Sequence, residues 1–421
     1  MKRNHFKKLG RLLVTISTIA CAFFLLLFIL FSPISTSQEA PYISVFQEVW
    51  QTVNDNFYDP QFNGVDWQAI QKKHEPLVKQ TKSIDEAAVV INQMLSELNT
   101  SHTRFYTQTE PAYYQLLGIF NQGSFAEAIA KLFPNGNFNY THIGIFTKNI
   151  DGKTFITGIL DNTPAAQVGL QVGDQILAVD GQPYQPIASF AGKADQEVEL
   201  SIQPTPDPNS IKKITIIPRK INPNTVLLDA MDNSIEIIEQ EQLKLGYIHI
   251  WSYAGEQYQE LLEDEIAYGR LKQADGLILD LRDGWGGATP NYLNIFTDKV
   301  PILTMVERDG RPRTIDYQWR KPVVMIVNEG TRSGKEILAY GFKQYGIGKT
   351  VGTKTAGAVL AGRPFLMQDG NLLYLAVADV FVNGERLEGK GVIPDIEVPF
   401  QVEYAGGSDP QKDKAIEVLV R

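Results

Sequence analysis

Asn328-Glu329-Gly330-Thr331-Arg332-Ser333-Gly334-Lys335-Glu336-Ile337-Leu338 decides the fold of this chain, together with the apolar run Pro322-Val323-Val324-Met325-Ile326-Val327 directly before it. A short apolar run, a Gly/Ser turn and an amphipathic segment predict a buried strand that leads into a helix. The turn puts the Ser333 hydroxyl at a helix N-terminus, where free backbone N–H groups can stabilise a developing oxyanion. A hydrolase would carry its nucleophile at such a position. An ordinary serine N-cap explains the same pattern, and this segment alone does not separate the two.

Strand and helix patterns alternate over residues 240–400, on both sides of that segment. Strands are predicted at 246–250, 276–281 and 373–377, where apolar and β-branched residues cluster. Such alternation predicts an α/β core in which helices pack on a mixed sheet.

The region before this core divides into a helical part and a β-rich part. Residues 42–114 are predicted to be mainly helical, because apolar side chains recur at helical spacing and a capping-box pattern begins at Ser83. Residues 140–204 show short strand patterns separated by turn residues. The expected fold class is therefore α/β and multidomain, with an N-terminal helical region and a β-rich domain inserted before the α/β core.

The N-terminal segment predicts export. Residues 1–11 carry five basic residues and no acid, and residues 12–31 form an uncharged, mostly apolar run. A helix of this length spans a bilayer core of roughly 30 Å, and the positive-inside rule keeps the basic end in the cytoplasm. We therefore predict a cytoplasmic basic tail at 1–11, a transmembrane anchor or signal sequence at 12–32, and an extracytoplasmic body in a periplasm, a lumen or the cell exterior. A cleaved signal peptide is the alternative to an anchor, with Ser35-Thr36-Ser37 as its candidate cleavage site.

Charge and cysteine content exclude several functions. The formal net charge is −9 although the first residues are basic, so the body is acidic and is not expected to bind nucleic acid. The single cysteine, Cys21, lies in the apolar run, which leaves the body without a disulfide or a cysteine nucleophile. No histidine pair or carboxylate cluster has metal-ligand spacing, so we predict no metal site and no cofactor.

The string DNTPAAQVGLQVGDQILAVDG at residues 161–181 closely resembles a PDZ domain. It combines a proline-initiated short helix, a glycine turn and a strand that ends in an Asp-Gly turn. The resemblance implies that backbone N–H groups at Ile143, Gly144 and Ile145 receive a peptide C-terminus by strand addition. A β-rich module with only a scaffolding role is the alternative.

Five features in one order, over about residues 42–400, resemble the C-terminal processing peptidases and their tricorn-type relatives. These features are the PDZ-like module, Asp280-Leu281-Arg282-Asp283-Gly284-Trp285-Gly286-Gly287, Gly330-Thr331-Arg332-Ser333, Gly352-Thr353-Lys354-Thr355-Ala356-Gly357 and Gly391-Val392-Ile393-Pro394-Asp395. The resemblance divides the body into a helical N-terminal region at 42–114, a PDZ-like domain at 115–205 and an α/β peptidase core at 206–421.

The resemblance implies that Ser333 is the nucleophile and that the amide of Gly334 and an amide of the Gly286-Gly287 turn form the oxyanion hole. Processing peptidases commonly pair the serine with a lysine, and the matching position here is Ala358. Lys354 and Lys335 remain nearby candidates for a Ser-Lys dyad.

The tricorn-type branch instead uses a Ser-His pair from the helical region and a distal glutamate, which this chain has as Ser101-His102 and Glu388. A histidine titrates near neutrality, so it can accept the proton of a serine and return it to the leaving amine. Ser101 and Glu388 would fix its tautomer, as the third member of a triad does. Glu385 competes with Glu388, and the spacing to Gly391-Val392 favours Glu388.

The other histidines have less suitable surroundings. His5 precedes the apolar run, His74 lies in a charged run predicted to be a solvated face, His142 falls in the PDZ-like loop and His249 in a strand predicted to be core.

The predicted function is a serine endopeptidase that hydrolyses peptide bonds of protein substrates through an acyl-enzyme at Ser333. The PDZ-like domain would present the C-terminal tails of these substrates, and the N-terminal segment would contact the membrane. The alternatives are a Ser-Lys dyad peptidase, a catalytically inactive adaptor that binds C-termini, and a non-proteolytic retinoid- or lipid-binding relative.

Overall fold

The computed structural model describes residues 41–297 and 300–421. The basic tail and the predicted anchor or signal sequence at 1–32 lie outside these residues. In the part that the structure describes, no helix is long and apolar enough to cross a membrane.

Amphipathic helices form the N-terminal region. Helix α3 begins where the Ser83 hydroxyl accepts the Glu86 N–H at 3.1 Å, and its apolar side chains, such as Ile91 and Met94, are fully buried. A short strand, β1, follows the third helix. The elements of this region are α1 (Ile43–Asn56), α2 (Trp67–Val78), α3 (Ile84–Ser96), β1 (Arg104–Tyr106), α4 (Pro111–Ile119) and α5 (Gly123–Leu132), with a 3₁₀ turn at Phe62–Gly64.

The β-rich domain is an antiparallel sheet with its own apolar core. Its elements are β2 (Tyr140–His142), β3 (Ile145–Ile150), β4 (Lys153–Ile159), α6 (Pro164–Gln167), β5 (Gln175–Val179), β6 (Gln182–Pro183), β7 (Val198–Gln203), β8 (Lys212–Ile216) and β9 (Arg219–Ile221). The strand order is β3-β4-β5-β7-β8, with β6 on β5, so β3 is an edge strand. Strand β2 pairs with β9, which brings the two ends of the domain together. A free edge on β3 is what strand addition of a peptide requires.

The α/β core is a six-stranded mixed sheet in the order β10-β11-β12-β15-β16-β21. Only β10 and β11 are antiparallel, and the other neighbours are parallel. Its elements are α7 (Val226–Asn233), β10 (Glu236–Gln240), β11 (Leu243–His249), α8 (Glu256–Ala267), β12 (Gly276–Asp280), β13 (Leu303–Val306), β14 (Pro312–Ile315), β15 (Val323–Val327), α9 (Gly334–Gln344), β16 (Lys349–Gly352), β17 (Ala361–Leu366), β18 (Leu372–Ala378), β19 (Phe381–Val382), β20 (Glu385–Arg386), β21 (Ile396–Glu397) and α10 (Pro410–Val420), with β13 and β14 forming a separate hairpin.

The central strands explain why residues 322–338 direct the fold. Every residue of β12 and β15 is buried, as expected for parallel strands covered on both faces. Both strands end at the same edge of the sheet, where their following turns meet. The α/β fold class with a helical N-terminal region and a PDZ domain is confirmed.

A second sheet joins the two ends of the chain. Strand β1 pairs with β18, and β18 pairs with β17, in a three-stranded antiparallel sheet. The turn before β1, which contains Ser101 and His102, is thereby held against the C-terminal part of the core.

Candidate active site

Ser333 lies at the turn between β15 and α9, in a backbone conformation that a serine seldom adopts. Its φ is 57° and its ψ is −129°, and it is the N-cap residue of the helix that begins at Gly334. A non-glycine residue held at positive φ costs of order 1–3 kcal/mol, and such residues cluster at functional sites. The Ser333 amide donates to the Ala358 carbonyl at 2.8 Å, which holds the strained turn in place. The cap position and the candidate nucleophile are therefore the same residue.

Glu336 fixes the loop around the serine. Its buried carboxylate accepts the Thr355 hydroxyl at 2.6 Å, the amides of Gly357 and Ala358 at 2.7 Å each, and the Ser333 amide at 3.2 Å. Burial raises the pKa of Glu336, and these hydrogen bonds oppose the rise. Sequence analysis assigns no role to Glu336, although its spacing of three from Ser333 matches a capping box.

The glycine turn after β12 packs directly against the serine. A Cβ added to Gly286 would lie 2.5 Å from the Cβ of Ser333 and 3.0 Å from the Gly334 nitrogen. The Gly286 carbonyl accepts the Tyr253 amide at 3.0 Å, which orients the turn. Within residues 41–297 and 300–421, the amides of Gly286, Gly287 and Gly334 donate to no acceptor. Backbone N–H groups this close to a serine are suitable donors for an oxyanion.

Hydrogen bonds join Ser101, His102 and Glu388. Glu388 accepts the amide of Ser101 through Oε1 and the hydroxyl of Ser101 through Oε2, at 2.9 Å each. The same hydroxyl lies 2.8 Å from Nδ1 of His102. A serine hydroxyl has one proton, and the carboxylate receives it, so Nδ1 of His102 must be the donor in the second bond. Nε2 of His102 is then unprotonated and able to accept a proton.

Two adjacent residues connect this relay to the serine. The amide of Val359 donates to Oε2 of Glu388 at 2.7 Å, and the carbonyl of Ala358 accepts the amide of Ser333 at 2.8 Å. His102 also lies within electrostatic reach of Arg332, the residue before the serine. The structure thus brings the predicted residues Ser101, His102, Glu388 and Ser333 into one region.

His102 is neutral, as a proton acceptor must be, but its imidazole is a weaker base than the near-neutral histidine expected from the sequence. Burial is the main cause that lowers its pKa to about 3, and the positive charge of Arg332 contributes. The imidazole is therefore neutral at physiological pH. Its backbone φ of 53° is left-handed, a conformation in which histidine is enriched among non-glycine residues.

The lysine candidates occupy different surroundings. Lys354 is exposed, and Ala358 offers only a buried methyl group where a dyad lysine would stand. Lys335 is fully buried, and its Nζ donates to the Asp283 carbonyl at 2.9 Å. Burial lowers the pKa of Lys335 to about 7. The amine of Lys335 is therefore hydrogen-bonded to the turn after β12.

The prediction that His74 is on a solvated face is wrong. Its side chain is buried and its Nε2 lies 2.8 Å from Glu97, because the helical spacing turns it toward α3 and away from the charged face. His142 is buried at the end of β2, and the ring of His249 stacks on Trp251 with centroids 3.7 Å apart. The competing carboxylate Glu385 is exposed in β20.

Asp280 and Arg282 brace the fold. The Arg282 guanidinium bonds both Asp280 and Asp409, which connects the end of β12 to the start of α10. Arg282 holds the pKa of the buried Asp280 below its usual range. Burial raises the pKa of the neighbouring Asp283 to about 6.

A cleft of about 1410 Å³ runs from the edge strand β3 to the serine region. Its lining includes Ile145 of β3 as well as Trp285 and Arg332, which are close to Ser333 in the sequence or in space. Of the other predicted peptide-binding residues, Ile143 is fully buried and the amide of Gly144 donates to Nδ1 of His142 at 3.1 Å. Strand β3 thus contributes to the cleft mainly from Ile145 onward.

Comparisons with known proteins match this architecture. Residues 244–398 match the model of peptidase family S41, residues 39–96 match the tricorn protease C1 domain, and residues 155–203 match a PDZ domain. Tricorn protease homolog 1 of Streptomyces coelicolor is 25% identical over 90% of this chain and 35% of its own length. A carboxyl-terminal-processing protease of a Picosynechococcus species is 25% identical over 95% of each chain. The chain thus spans about a third of the first relative and nearly all of the second.

Two solved structures share the fold. The photosystem II D1 C-terminal processing protease is 21% identical, with a TM-score of 0.50, over 88% of this chain and 98% of its own. The tricorn protease is 20% identical, with a TM-score of 0.52, over 90% of this chain and 36% of its own. In its fold and in the serine at a helix start, the chain is similar to serine peptidases of the C-terminal processing and tricorn type. Residues 244–398 of the chain are thus similar to peptidase family S41.

Proposed function

We propose that this chain is a serine endopeptidase that cleaves protein substrates through an acyl-enzyme at Ser333, with His102 as the general base. The observation that carries the proposal is the hydrogen-bond chain from Glu388 through Ser101 to Nδ1 of His102. That chain leaves Nε2 as the basic nitrogen in a region that also contains a serine at a helix N-terminus.

The residues can perform the reaction in two steps, acylation of Ser333 and deacylation by water. Nε2 of His102 takes the Ser333 proton while Oγ attacks the carbonyl carbon of the scissile bond. The N–H groups of Gly334 and of the Gly286-Gly287 turn would stabilise the resulting oxyanion. When the C–N bond breaks, the imidazolium gives its proton to the leaving amine. A water molecule then attacks the acyl-enzyme by the same route and releases the second product.

The PDZ domain supports the proposal that substrates are C-terminal tails. Strand β3 has a free edge, and the cleft continues from this strand toward Arg332 and Trp285. A tail added to β3 could extend along the cleft toward the serine.

An extracytoplasmic location, with the chain anchored or exported through residues 12–31, also belongs to the proposal. It rests on the basic cluster and the apolar run of the sequence. One relative, the C-terminal processing peptidase of Tetradesmus obliquus, is named as chloroplastic.

Replacement of Ser333 by alanine tests the activity. We expect Ser333→Ala to abolish hydrolysis of an unstructured protein and labelling by a fluorophosphonate probe, because both require the Oγ nucleophile. The matched control is Ser124→Ala, which removes an exposed hydroxyl from α5. Unchanged proteolysis by Ser333→Ala would refute the assignment. A folded wild-type protein that binds C-terminal peptides but never reacts with the probe would instead be the adaptor.

A further inference from the structure

Arg332 is a cation in the cleft, and it has no carboxylate partner in the part of the chain that the structure describes. It directly precedes Ser333, it is partly exposed, and its guanidinium carbon lies 5.7 Å from the ring centre of Trp285. No ion pair or hydrogen bond of its guanidinium is present within residues 41–297 and 300–421. The two other arginines that line the cleft are both neutralised: Arg104 by Glu110, and Arg282 by Asp280 and Asp409.

Three of the groups that sense the charge of Arg332 are a histidine and two tyrosines. The positive charge of Arg332 lowers the pKa values of His102, Tyr106 and Tyr374. Burial is the larger effect, and it keeps His102 neutral and the two phenols protonated. A guanidinium among neutral groups is less screened than one in bulk water, so an anion that reaches it binds more strongly. The planar guanidinium donates to a carboxylate through two parallel hydrogen bonds.

We propose that Arg332 determines substrate specificity by binding a carboxylate of the peptide close to the scissile bond. The carboxylate is either an Asp or Glu side chain or the free C-terminus of the substrate. The inference rests on the proposed peptidase function, because it assumes that the peptide passes along the cleft to Ser333. It adds the chemical class of the substrate.

The position of Arg332 also links recognition to the base. The guanidinium charge disfavours the imidazolium form of His102. A bound carboxylate compensates that charge, so His102 becomes a stronger base when a suitable substrate is in place. An uncharged peptide leaves the charge uncompensated.

Peptide binding to the Ser333→Ala protein tests this site without any need for turnover. Fluorescein-labelled peptides are compared in Glu/Gln pairs at successive positions, each with a free and an amidated C-terminus, by fluorescence anisotropy. We expect the carboxylate form of one pair to bind roughly 10- to 100-fold more tightly, as for a hydrogen bond to a charged group. That difference should disappear in Ser333→Ala/Arg332→Gln and be partly retained in Ser333→Ala/Arg332→Lys, which keeps the charge but loses the bidentate geometry.

The matched control is Ser333→Ala/Lys354→Gln, which removes an exposed positive charge from a neighbouring loop. It should keep the full preference, and thermal unfolding of each variant establishes that it is folded. A Glu/Gln difference at one position assigns the carboxylate to a side chain, and a difference between free and amidated peptides assigns it to the C-terminus. Equal affinity within every pair, or a preference that survives Arg332→Gln, would overturn the proposal. These binding measurements do not depend on turnover, because every variant lacks the nucleophile. If the wild-type protein had no hydrolytic activity, that would count against the proposed function and leave the binding result unaffected.

Discussion

Ser101 carries one hydroxyl proton, and that proton decides which nitrogen of His102 is available. Glu388 accepts it at 2.9 Å, so Nδ1 of His102 supplies the proton of the other bond. An alanine at position 101 would remove this link and leave the tautomer of His102 undetermined. The tautomer of the candidate base therefore depends on Ser101.

Substitutions can decide whether His102 or one of the lysines Lys335 and Lys354 is the base. We expect His102→Ala to lower kcat by roughly 10³-fold or more, because the proton of Ser333 then has no acceptor. Lys335→Met keeps the length of the buried side chain and should retain most of the activity, as should Lys354→Ala at the exposed position. Steady-state kinetics on one peptide substrate measures all three. Near-full activity of His102→Ala, with a large loss in Lys335→Met, would favour a Ser-Lys dyad.

At the residue scale, sequence analysis identifies the residues that belong to motifs. It misses residues whose role depends on their three-dimensional contacts. Ser333 and the Ser101-His102 pair could be named because motif order restricts them. The four hydrogen bonds of the Glu336 carboxylate, the burial of Lys335 and the unpaired charge of Arg332 depend on which distant segments meet. The burial of His74 depends in the same way on a distant segment, because its partner Glu97 lies at the C-terminal end of another helix.

At the scale of elements, the turn after β12 must approach the turn after β15 very closely. Gly286 has no side chain at the point where a Cβ would meet Ser333 and the Arg332 carbonyl, at 2.5 and 2.7 Å. Contacts this short involve backbone atoms, so they cannot be relieved by a side-chain rotation. The glycine is required by the distance between the two turns.

A methyl group at Gly286 should therefore displace one of the two turns and impair catalysis. We expect Gly286→Ala to lower kcat/KM by roughly 10²-fold or more, because it displaces an oxyanion donor or the serine. The control, Gly276→Ala, adds a methyl group at the other end of β12, where the nearest atoms are Leu side-chain carbons at 3.3–3.4 Å. Peptidase kinetics and Tm are measured for both variants. An active Gly286→Ala enzyme would remove this turn from the oxyanion hole.

The pairing of strands also shows which elements cannot be predicted from the sequence. The buried strands of the core have strong apolar patterns and could be predicted, whereas the three-residue strand β1 has too little pattern to be recognised. Its pairing with β18 follows from long-range packing. Yet that pairing places His102, so the least predictable strand positions the candidate base.

At the scale of the whole molecule, burial of histidines in several domains makes stability sensitive to acid. Burial lowers the pKa of His142 to about 3, whereas an unfolded histidine titrates near 6.5. Between these values the unfolded chain binds a proton that the folded chain does not. The free energy of unfolding contributed by this residue is therefore present above pH 6.5 and is lost as the pH falls.

The variant His142→Asn tests this pH dependence, because its amide oxygen can still accept the Gly144 N–H. We expect its free energy of unfolding to fall less steeply than that of the wild type between pH 6 and pH 4, by up to about 1.4 kcal/mol per pH unit. Denaturant unfolding monitored by circular dichroism gives both curves, with pH 8 as the reference. Parallel curves would mean that His142 does not titrate in this window.

The pairing of Ser101 with Glu388 has a consequence for biosynthesis. The two residues are 287 positions apart, and the serine of the turn before α9 lies between them in the chain. A ribosome delivers Ser101 and His102 before Ser333, and Glu388 after it, so a chain that stops between residues 333 and 388 contains the candidate nucleophile without the complete candidate relay. We therefore expect a chain truncated before Glu388 to lack the activity proposed for the full set of residues.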